Sequence, residues 1–327
     1  MSLTTATALA SLLDEDDRAM LSALLGDRAA FDAPLATLTS WKVGGPADAL
    51  LQLERENELA AVLAHCVRRR LPWFVLGSGS NLLVGDGGIR GIVMRLGGEF
   101  AHIEVRIEGE QVRVVAGASA SMAALTARAA SAGAVGVGSL AGIPGSLGGS
   151  LRMNAGTDRE MGDFIREVRV QSPSRPSAHA VDVRYFYRHT TLARDAVVVG
   201  AELVFAHGDV NEVREEMQAR LVRRKQTQPI ALPNAGSCFR NPEGEKAARL
   251  IEAVGAKGWR EGDAEVSPLH ANFINNVGRA RACDIAILLA RVRRAVAERF
   301  GIELQLEVHL VGVFIDERMD GGDGRAA

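Results

Sequence analysis

The stretch G-S-G-S-N-L-L at residues 77–83 follows a short strand-like run, Trp73–Leu76. Small residues let backbone N–H groups approach a diphosphate closely, and serine and asparagine side chains add donors. The stretch is not a complete G-x-G-x-x-G motif, because Leu82 occupies the last position. On its own it fits either a phosphate-binding loop or an ordinary turn.

A second glycine-rich stretch, G-I-P-G-S-L-G-G, occupies residues 142–149. Four glycines and one proline among these residues predict a rigid turn with little side-chain bulk. The looser G-x-G-x-x-A match at residues 136–141 is discounted, since a helix rather than a strand is predicted before it. A plain structural crossover is the alternative, but the two stretches together favour a nucleotide-cofactor enzyme.

Composition and charge exclude several other classes. The 327 residues suffice for two or three domains, and 47% hydrophobic with 24% charged residues is ordinary globular composition. A formal net charge of −2 gives no electrostatic footprint for nucleic acid. Three separated cysteines lack zinc spacing, so we expect reduced thiols and no metal site. Without a signal-like start or a long apolar run, the sequence predicts a soluble, cytoplasmic protein.

Hydrophobic periodicity predicts the elements along the chain. Residues 1–30 are predicted to form one or two short helices, and Asn57 is the expected N-cap of a helix at Asn57–Arg70. A long helix, Val210–Lys225, should end before Pro229, near a domain boundary at residues 206–230. Further predictions are strands at Ala49–Leu53, Val112–Ala116, Val197–Phe205 and Leu304–Val313, helices at Ser121–Ala132, Lys246–Val254 and Cys283–Phe300, and a disordered tail from Asp316.

Candidate reactive groups lie in three separate segments. The block P-N-A-G-S-C-F-R-N-P at residues 233–242 contains Ser237, which lacks a neighbouring base and a G-x-S-x-G setting, so it suits proton donation. Cys238 would be the stronger acid, but on an extended segment it points the opposite way. Arg188, beside two tyrosines, suits a planar carboxylate, and Glu307 lies on an alternating run. The structural alternatives are a turn serine, a surface arginine stacked on tyrosine and a solvent-facing strand residue.

Taken in order, seven blocks of the chain resemble the UDP-N-acetylenolpyruvoylglucosamine reductases, the flavoenzymes that complete UDP-N-acetylmuramate in peptidoglycan synthesis. The blocks are T-S-W-K-V-G-G-P-A-D (39–48), V-L-G-S-G-S-N-L-L-V (75–84), L-A-G-I-P-G-S-L-G-G-S-L-R-M-N-A-G (140–156), F-Y-R-H-T (186–190), N-A-G-S-C-F-R-N-P (234–242), E-V-S-P-L-H-A-N-F-I-N-N (265–276) and L-E-V-H-L-V-G (306–312). The short interval between Arg188 and Ser237 resembles the subgroup that lacks an extra tyrosine-bearing loop.

The resemblance implies an α+β fold, with an FAD-binding domain of the vanillyl-alcohol-oxidase (PCMH) type in two subdomains and a smaller α+β substrate domain. We expect an N-terminal helical segment at residues 1–30, the FAD-binding domain at 31–208, the substrate-binding domain at 209–315 and a disordered tail at 316–327. The resemblance implies FAD and NADPH as cofactors and UDP-N-acetylglucosamine enolpyruvate as substrate. We expect a monomer with no nucleic-acid or membrane partner.

Residue roles carry over by motif position. Ser237 matches the family's proton donor, Arg188 its active-site arginine and Glu307 its active-site glutamate. The resemblance assigns substrate contacts to Lys225, which meets the diphosphate, Asn241 and Tyr187. The implied cofactor contacts are Gly77, Ser78, Gly79, Ser80, Asn81, Leu82, Gly142, Ile143, Pro144, Gly145, Ser146, Gly148, Gly149 and Asn154. Departures from the usual pattern remove no catalytic group; they are Thr190, Arg240 and Asp263.

The resemblance also implies an order of steps. NADPH reduces FAD, and the enolpyruvyl ether then binds in the same place. Hydride from flavin N5 goes to the terminal carbon of the double bond, while charge builds up beside Arg188 and Ser237 protonates the adjacent carbon. Glu307 completes the polarisation through a shared hydrogen bond that favours its protonated form. The alternatives are another flavoenzyme of the same superfamily, such as a 2-hydroxy-acid dehydrogenase, and a non-catalytic nucleotide-binding or scaffold protein.

Overall fold

The structure is a computed structural model that describes residues 10–315, and its mixture of sheets and helices confirms the α+β class. Three successive parts of the chain each surround an apolar core. The predicted disordered tail at 316–327 lies outside the described residues, as do the first nine residues of the predicted helical segment.

The first part of the chain forms a four-stranded mixed sheet. Its elements are α1 (Glu15–Leu25), β1 (Ala29–Pro34), β2 (Pro46–Leu53), α2 (Glu56–Arg69), β3 (Trp73–Val75), β4 (Leu82–Val84) and β5 (Ile89–Leu96). The sheet order is β1-β2-β5-β3, with β2 and β3 both parallel to β5. The apolar stripe predicted for α2 is buried in the core beside this sheet, as expected from its helical spacing: Leu59, Val62, Leu63 and Cys66.

Two predictions in this part need correction. The N-cap of α2 is Arg55 rather than Asn57, because the Glu58 carboxylate accepts hydrogen bonds from the backbone N–H groups of Glu54 (2.8 Å) and Arg55 (3.2 Å). The helical segment predicted up to residue 30 ends earlier. From Ala29 the chain is strand β1, because its backbone pairs with β2.

The second part forms a five-stranded antiparallel sheet. Its elements are β6 (Ile103–Glu108), β7 (Gln111–Gly117), α3 (Met122–Ser131), α4 (Leu147–Arg152), β8 (Ile165–Ser172), β9 (Arg175–Val181), β10 (Tyr185–Phe186), β11 (His189–Thr190), β12 (Val197–Ala206) and α5 (Val210–Thr227). The sheet order is β6-β7-β12-β8-β9, and β10 with β11 makes a separate hairpin. Helix α5 packs Val213 into this core, although it follows the expected boundary at residue 208.

The second glycine-rich stretch is less irregular than predicted. Helix α4 begins at Leu147, so Gly148 and Gly149 are helical rather than part of a turn. The helix forms because Leu147 and Leu151 lie one turn apart and are both fully buried in the second core.

The third part packs a small antiparallel sheet against the longest helix described. Its elements are α6 (Ala247–Ala253), β13 (Arg260–Glu261), β14 (Ala264–Val266), β15 (Ile274–Asn276), α7 (Ala282–Phe300) and β16 (His309–Val311). Hydrogen bonds from the first part anchor it. Trp41 Nε1 donates to the Ile274 carbonyl at 2.7 Å. The Asp86 carboxylate accepts from the N–H groups of Ala282 and Cys283, both at 2.8 Å, and thereby caps α7.

The strand predicted at Leu304–Val313 is wrong for its first half. Only His309–Val311 is a strand, and it pairs in parallel with β4. The preceding residues bond instead to the segment that follows Ser237. The Gln305 carbonyl accepts from the Arg240 N–H at 2.9 Å, and the Glu307 N–H donates to the Cys238 carbonyl at 2.8 Å.

Candidate active site

Arg188 lies in the two-residue turn between β10 and β11, where its backbone has a left-handed φ of 54°. Its Nε donates to Glu307 Oε1 at 2.8 Å, and its Nη2 donates to the Gly156 carbonyl at 3.0 Å. The guanidinium carbon lies 4.8 Å from the centroid of the Tyr187 ring. A non-glycine residue in this backbone region is uncommon and is often retained where function needs it.

The backbone of Glu307 is hydrogen-bonded to two distant segments of the chain. Its N–H is bonded to the Ser237 segment, and its carbonyl accepts from Asn81 Nδ2 of the first glycine-rich stretch at 3.0 Å. Burial raises the pKa of Glu307, while Arg188 and Arg240 oppose that rise. The structural alternative for Glu307, a solvent-facing strand residue, is therefore wrong, because its carboxyl group is mostly enclosed, with 17% of the side chain exposed.

Ser237 is partly exposed, and within residues 10–315 its hydroxyl has no hydrogen-bond partner. The next residue, Cys238, is 1% exposed and lies in the third core, and burial raises its pKa to about 12. Two bonds join this segment to the other candidates, since Arg240 Nη2 also donates to the Arg188 carbonyl at 3.4 Å. The structure therefore brings the three predicted segments together, with Arg188 and Glu307 in direct contact.

Arg188, Glu307, the Ser237 segment, Glu160 and Arg240 form what we call the charged cluster. The sequence does not assign a site role to Glu160 or Arg240. Glu160 Oε1 accepts from Arg188 Nη1 at 3.0 Å, and burial raises the pKa of Glu160. From the sequence, Arg240 is only a departure from the usual lysine, and its Nε is buried without a partner in the described part of the chain. No local motif marks Glu160, because its partner lies 28 positions further along the chain.

Of the predicted substrate contacts, Tyr187 lies beside Arg188, whereas no hydrogen bond joins Lys225 or Asn241 to the cluster within residues 10–315. Lys225 is exposed near the end of α5 and has no partner among residues 10–315. Asn241 is exposed, and its Oδ1 accepts from the Ala247 N–H at 3.1 Å, at the start of α6. Tyr187 is 46% exposed.

The two glycine-rich stretches face each other. Ser80 Oγ donates to the Pro144 carbonyl at 3.0 Å. At Gly145, where φ is 123°, a Cβ would lie 2.9 Å from Ser80 Oγ, so only glycine allows this approach. The backbone N–H groups of residues 77–81 donate to no acceptor within the described chain. Grouped donors without protein acceptors suit a diphosphate, and this region therefore fits the FAD that the sequence predicts.

Asn154 differs from the other predicted cofactor contacts. It is 2% exposed, and its side chain is occupied by the protein itself, through Glu160, Phe186 and Gly162. The remaining predicted contacts stay at the two stretches, and four of them are exposed: Ser78, Gly142, Pro144 and Gly149.

Within residues 10–315, no group of three or more His, Cys, Asp or Glu residues could hold a metal ion. No helix in that range has the length and apolar character that a membrane crossing requires. All three cysteines are free and buried.

Comparisons with known proteins point in one direction. Residues 228–311 match the model of the UDP-N-acetylenolpyruvoylglucosamine reductase C-terminal domain, and residues 47–174 match an FAD binding domain. The chain is 44% identical to the UDP-N-acetylenolpyruvoylglucosamine reductase of Anaeromyxobacter sp. (strain K), over 90% of this chain and 89% of the relative. That of Moorella thermoacetica is 44% identical, over 85% of this chain and 92% of the relative. A crystal structure of the reductase (MurB) from Thermus caldophilus aligns with a TM-score of 0.72 and 34% identity, over 86% of this chain and 97% of that one.

Proposed function

This chain belongs to the UDP-N-acetylenolpyruvoylglucosamine reductases, and on that premise we propose how its residues carry out the reaction. It is an FAD-dependent oxidoreductase of peptidoglycan precursor synthesis, a UDP-N-acetylmuramate dehydrogenase. NADPH is the proposed reductant, and UDP-N-acetylglucosamine enolpyruvate is the proposed acceptor. Residues 31–208 form the proposed cofactor domain and residues 209–315 the proposed substrate domain.

One observation carries the assignment of roles. The Arg188 guanidinium and the Glu307 carboxylate are in contact at 2.8 Å, and the backbone of Glu307 is bonded to the residue after Ser237. Three distant segments, which carry a guanidinium, a carboxyl group and a hydroxyl, are thus joined by hydrogen bonds. This combination supports carboxylate recognition coupled to proton transfer.

Arg188 is the proposed partner of the substrate carboxylate. Its side chain is 15% exposed, so its charge acts through a medium less polarisable than bulk water. As negative charge grows on the carboxylate side of the enolpyruvyl group, the fixed guanidinium stabilises it. A preorganised donor of this kind is worth roughly 3–4 kcal/mol.

Ser237 is the proposed proton donor to the carbon next to the carboxylate. Its hydroxyl is partly exposed and free of internal hydrogen bonds among residues 10–315, so it can turn towards a substrate. The raised pKa of Glu307 favours its protonated form, which can donate a hydrogen bond to the same carboxylate side. Buried Cys238 takes no part, because its thiol lies in the core.

The cofactor is assigned to the facing glycine-rich stretches. The N–H groups of residues 77–81 and the backbone of residues 142–149 would hold its diphosphate. When bound, FAD supplies the hydride chemistry. Asn81 has a second proposed task, since its side chain fixes the Glu307 carbonyl and ties the cofactor region to the acid group.

The UDP portion of the substrate is assigned to exposed polar groups outside the cluster. Within residues 10–315 the Lys225 ammonium and the Asn241 Nδ2 have no partner, so the first can meet the diphosphate and the second can donate, while Asn241 Oδ1 caps α6. Exposed Tyr187 offers a ring face beside Arg188.

The proposed setting is a cytoplasmic monomer. UDP-sugars and NADPH are cytoplasmic metabolites, and three free thiols suit a reducing compartment. Arg188, Glu307 and Ser237 all come from one chain, so the proposed catalytic group is complete without a second copy.

The test is an anaerobic stopped-flow experiment in two stages. NADPH should bleach the flavin absorbance, and UDP-N-acetylglucosamine enolpyruvate should then restore it. UDP-N-acetylglucosamine without the enolpyruvyl group is the matched control and should leave the flavin reduced. Two results would contradict the proposed function. They are a failure of NADPH to bleach the flavin, and reoxidation of the reduced flavin by a 2-oxo acid, the product of a 2-hydroxy-acid dehydrogenase, instead of by the enolpyruvyl sugar nucleotide.

A further inference from the structure

Hydrogen bonds to three acceptors fix the orientation of the Arg188 guanidinium. Glu307 accepts from its Nε at 2.8 Å, whereas Glu160 accepts from its Nη1 at 3.0 Å and the Gly156 carbonyl accepts from its Nη2 at 3.0 Å. Acceptors on all three nitrogens leave the guanidinium plane no freedom to rotate. Without Glu160, the far end of that plane would be held by one neutral carbonyl oxygen alone.

Glu160 is itself anchored. Its second oxygen, Oε2, accepts from Asn154 Nδ2 at 2.5 Å. The same Asn154 amide donates to the Phe186 carbonyl at 3.1 Å and accepts from the Gly162 N–H at 2.8 Å. Both N–H bonds and the oxygen of the buried amide are therefore used, and Asn154 serves as a rigid support for the carboxylate.

The same support reaches the backbone of the arginine turn. Phe186 is the residue before the turn that holds Arg188 at a left-handed φ, so Asn154 fixes both the turn and the carboxylate that meets its side chain. An ordinary surface ion pair needs neither a left-handed turn residue nor a buried amide that supports it. Their presence here indicates that the orientation of Arg188 matters for function.

We propose that Glu160 is a positioning residue, which orients the Arg188 guanidinium to receive the substrate carboxylate, with Asn154 as its anchor. This inference rests on the proposed function, because it needs Arg188 to bind that carboxylate. Glu160 acts through Arg188 and touches no reacting atom.

Glu160→Gln is the sharpest variant, because it keeps the shape and removes one acceptor. A glutamine has one oxygen and one NH₂ group, so it can accept from Arg188 or from Asn154 but not from both. We expect the limiting rate of flavin reoxidation by the enolpyruvyl sugar nucleotide to fall by roughly 10²-fold, the cost of a small misplacement. Reduction by NADPH and the half-saturating substrate concentration should stay within about twofold, since ground-state binding depends mainly on the UDP portion.

Controls separate positioning from folding. Glu202→Gln removes a comparably enclosed carboxylate from a pair with Arg113 (2.8 Å), away from the site, and should leave both half-reactions within about twofold. In an Arg188→Lys background, Glu160→Gln should add little further loss, because the two residues act in series. Glu160→Asp, which keeps the charge, should be faster than Glu160→Gln.

Three results would overturn the inference while leaving the proposed function intact. They are a Glu160→Gln enzyme with normal reoxidation, an equal loss in both half-reactions or in flavin content, and a full additive loss on top of Arg188→Lys. If the unaltered enzyme, once reduced by NADPH, is not reoxidised by the enolpyruvyl sugar nucleotide, the proposed function and this inference fail together.

Discussion

The cofactor region and the charged cluster differ in whether the protein itself satisfies their hydrogen-bond donors. The N–H groups of residues 77–81 have no acceptor within the described chain, whereas all three nitrogens of Arg188 are paired inside the protein. The first region depends on a ligand to satisfy it. In the second, Arg188 is held in place beforehand through one N–H of each nitrogen, which suits a group that must stabilise developing charge without reorganising. Substitutions should therefore weaken binding in the first region and slow chemistry in the second.

The largest effect is expected for Ser237→Ala, which removes the proposed proton from an otherwise intact cluster. Loss of a general acid typically costs about 10²–10⁴-fold. Stopped-flow traces should show normal bleaching by NADPH and reoxidation slowed by that factor. Ser177→Ala, at an exposed position of β9, is the matched control. If bleaching collapses together with reoxidation, Ser237 has a different role.

Arg188→Lys should come next. It keeps a positive charge but loses the planar fork that contacts Glu307, Glu160 and Gly156 together. The expected loss in reoxidation rate is roughly 10²–10³-fold, in line with removal of one preorganised donor. Arg113→Lys, in a pair outside the site, should turn over normally. Near-normal turnover of Arg188→Lys would break the contrast between the two regions.

Gly79→Ala probes the cofactor region. Gly79 has a φ of 61°, and an added Cβ would lie 2.3 Å from the Leu38 carbonyl oxygen. Gly109 has the same φ of 61° with nothing within 4 Å, so Gly109→Ala carries the backbone cost of about 1–2 kcal/mol without the clash. FAD titration should show affinity at least about tenfold weaker in Gly79→Ala only. Equal FAD affinity in the two variants would mean that this backbone is not a cofactor surface.

The smallest effect is expected for an ion pair that serves stability alone. Arg28 donates to Glu58, and this contact first of all lowers the Glu58 pKa to about 2 from an ordinary 4.5. Because the folded-state pKa is depressed, the stabilisation is fully present above pH 4.5 and is lost as pH falls towards 2.

Glu58→Gln should accordingly lower the free energy of unfolding by about 2 kcal/mol at pH 7, and by progressively less as the pH falls below 4.5. Urea unfolding at several pH values measures this difference. Glu104→Gln, in the exposed pair with Arg106, should change stability by less than about 1 kcal/mol at any pH. A Glu58→Gln deficit that does not shrink in acid would contradict the assigned pKa shift.

Sequence patterns sufficed where the physics is local. The apolar stripe of α2 and the glycine-rich stretches could be read from neighbouring residues, and so could the approximate bounds of α5 and α7. The sequence does not predict that a helix begins at Leu147, because the high glycine content of this stretch favours a turn. The burial of Leu147 and Leu151 in the second core outweighs that preference.

The charged cluster depended on tertiary pairing. Residue chemistry alone singles out Ser237 as a proton donor and Arg188 as a carboxylate partner, but only the family resemblance assigns them, with Glu307, to one site. Glu160 could not be found at all, because it meets Arg188 through a turn that only the folded hairpin creates. Apolar and polar residues alternate in the segment before His309, and this pattern predicts a strand. Its backbone groups instead form hydrogen bonds with the segment that follows Ser237.

The parallel pairing of β16 with β4 joins the last described strand to an early one, with Leu82 opposite His309. During synthesis the first two sheets can form as soon as they leave the ribosome, since domains generally fold in order of emergence. Glu307 is synthesised after the strands of both sheets, so a chain that stops short of it would keep the two glycine-rich stretches and lack the proposed acid group.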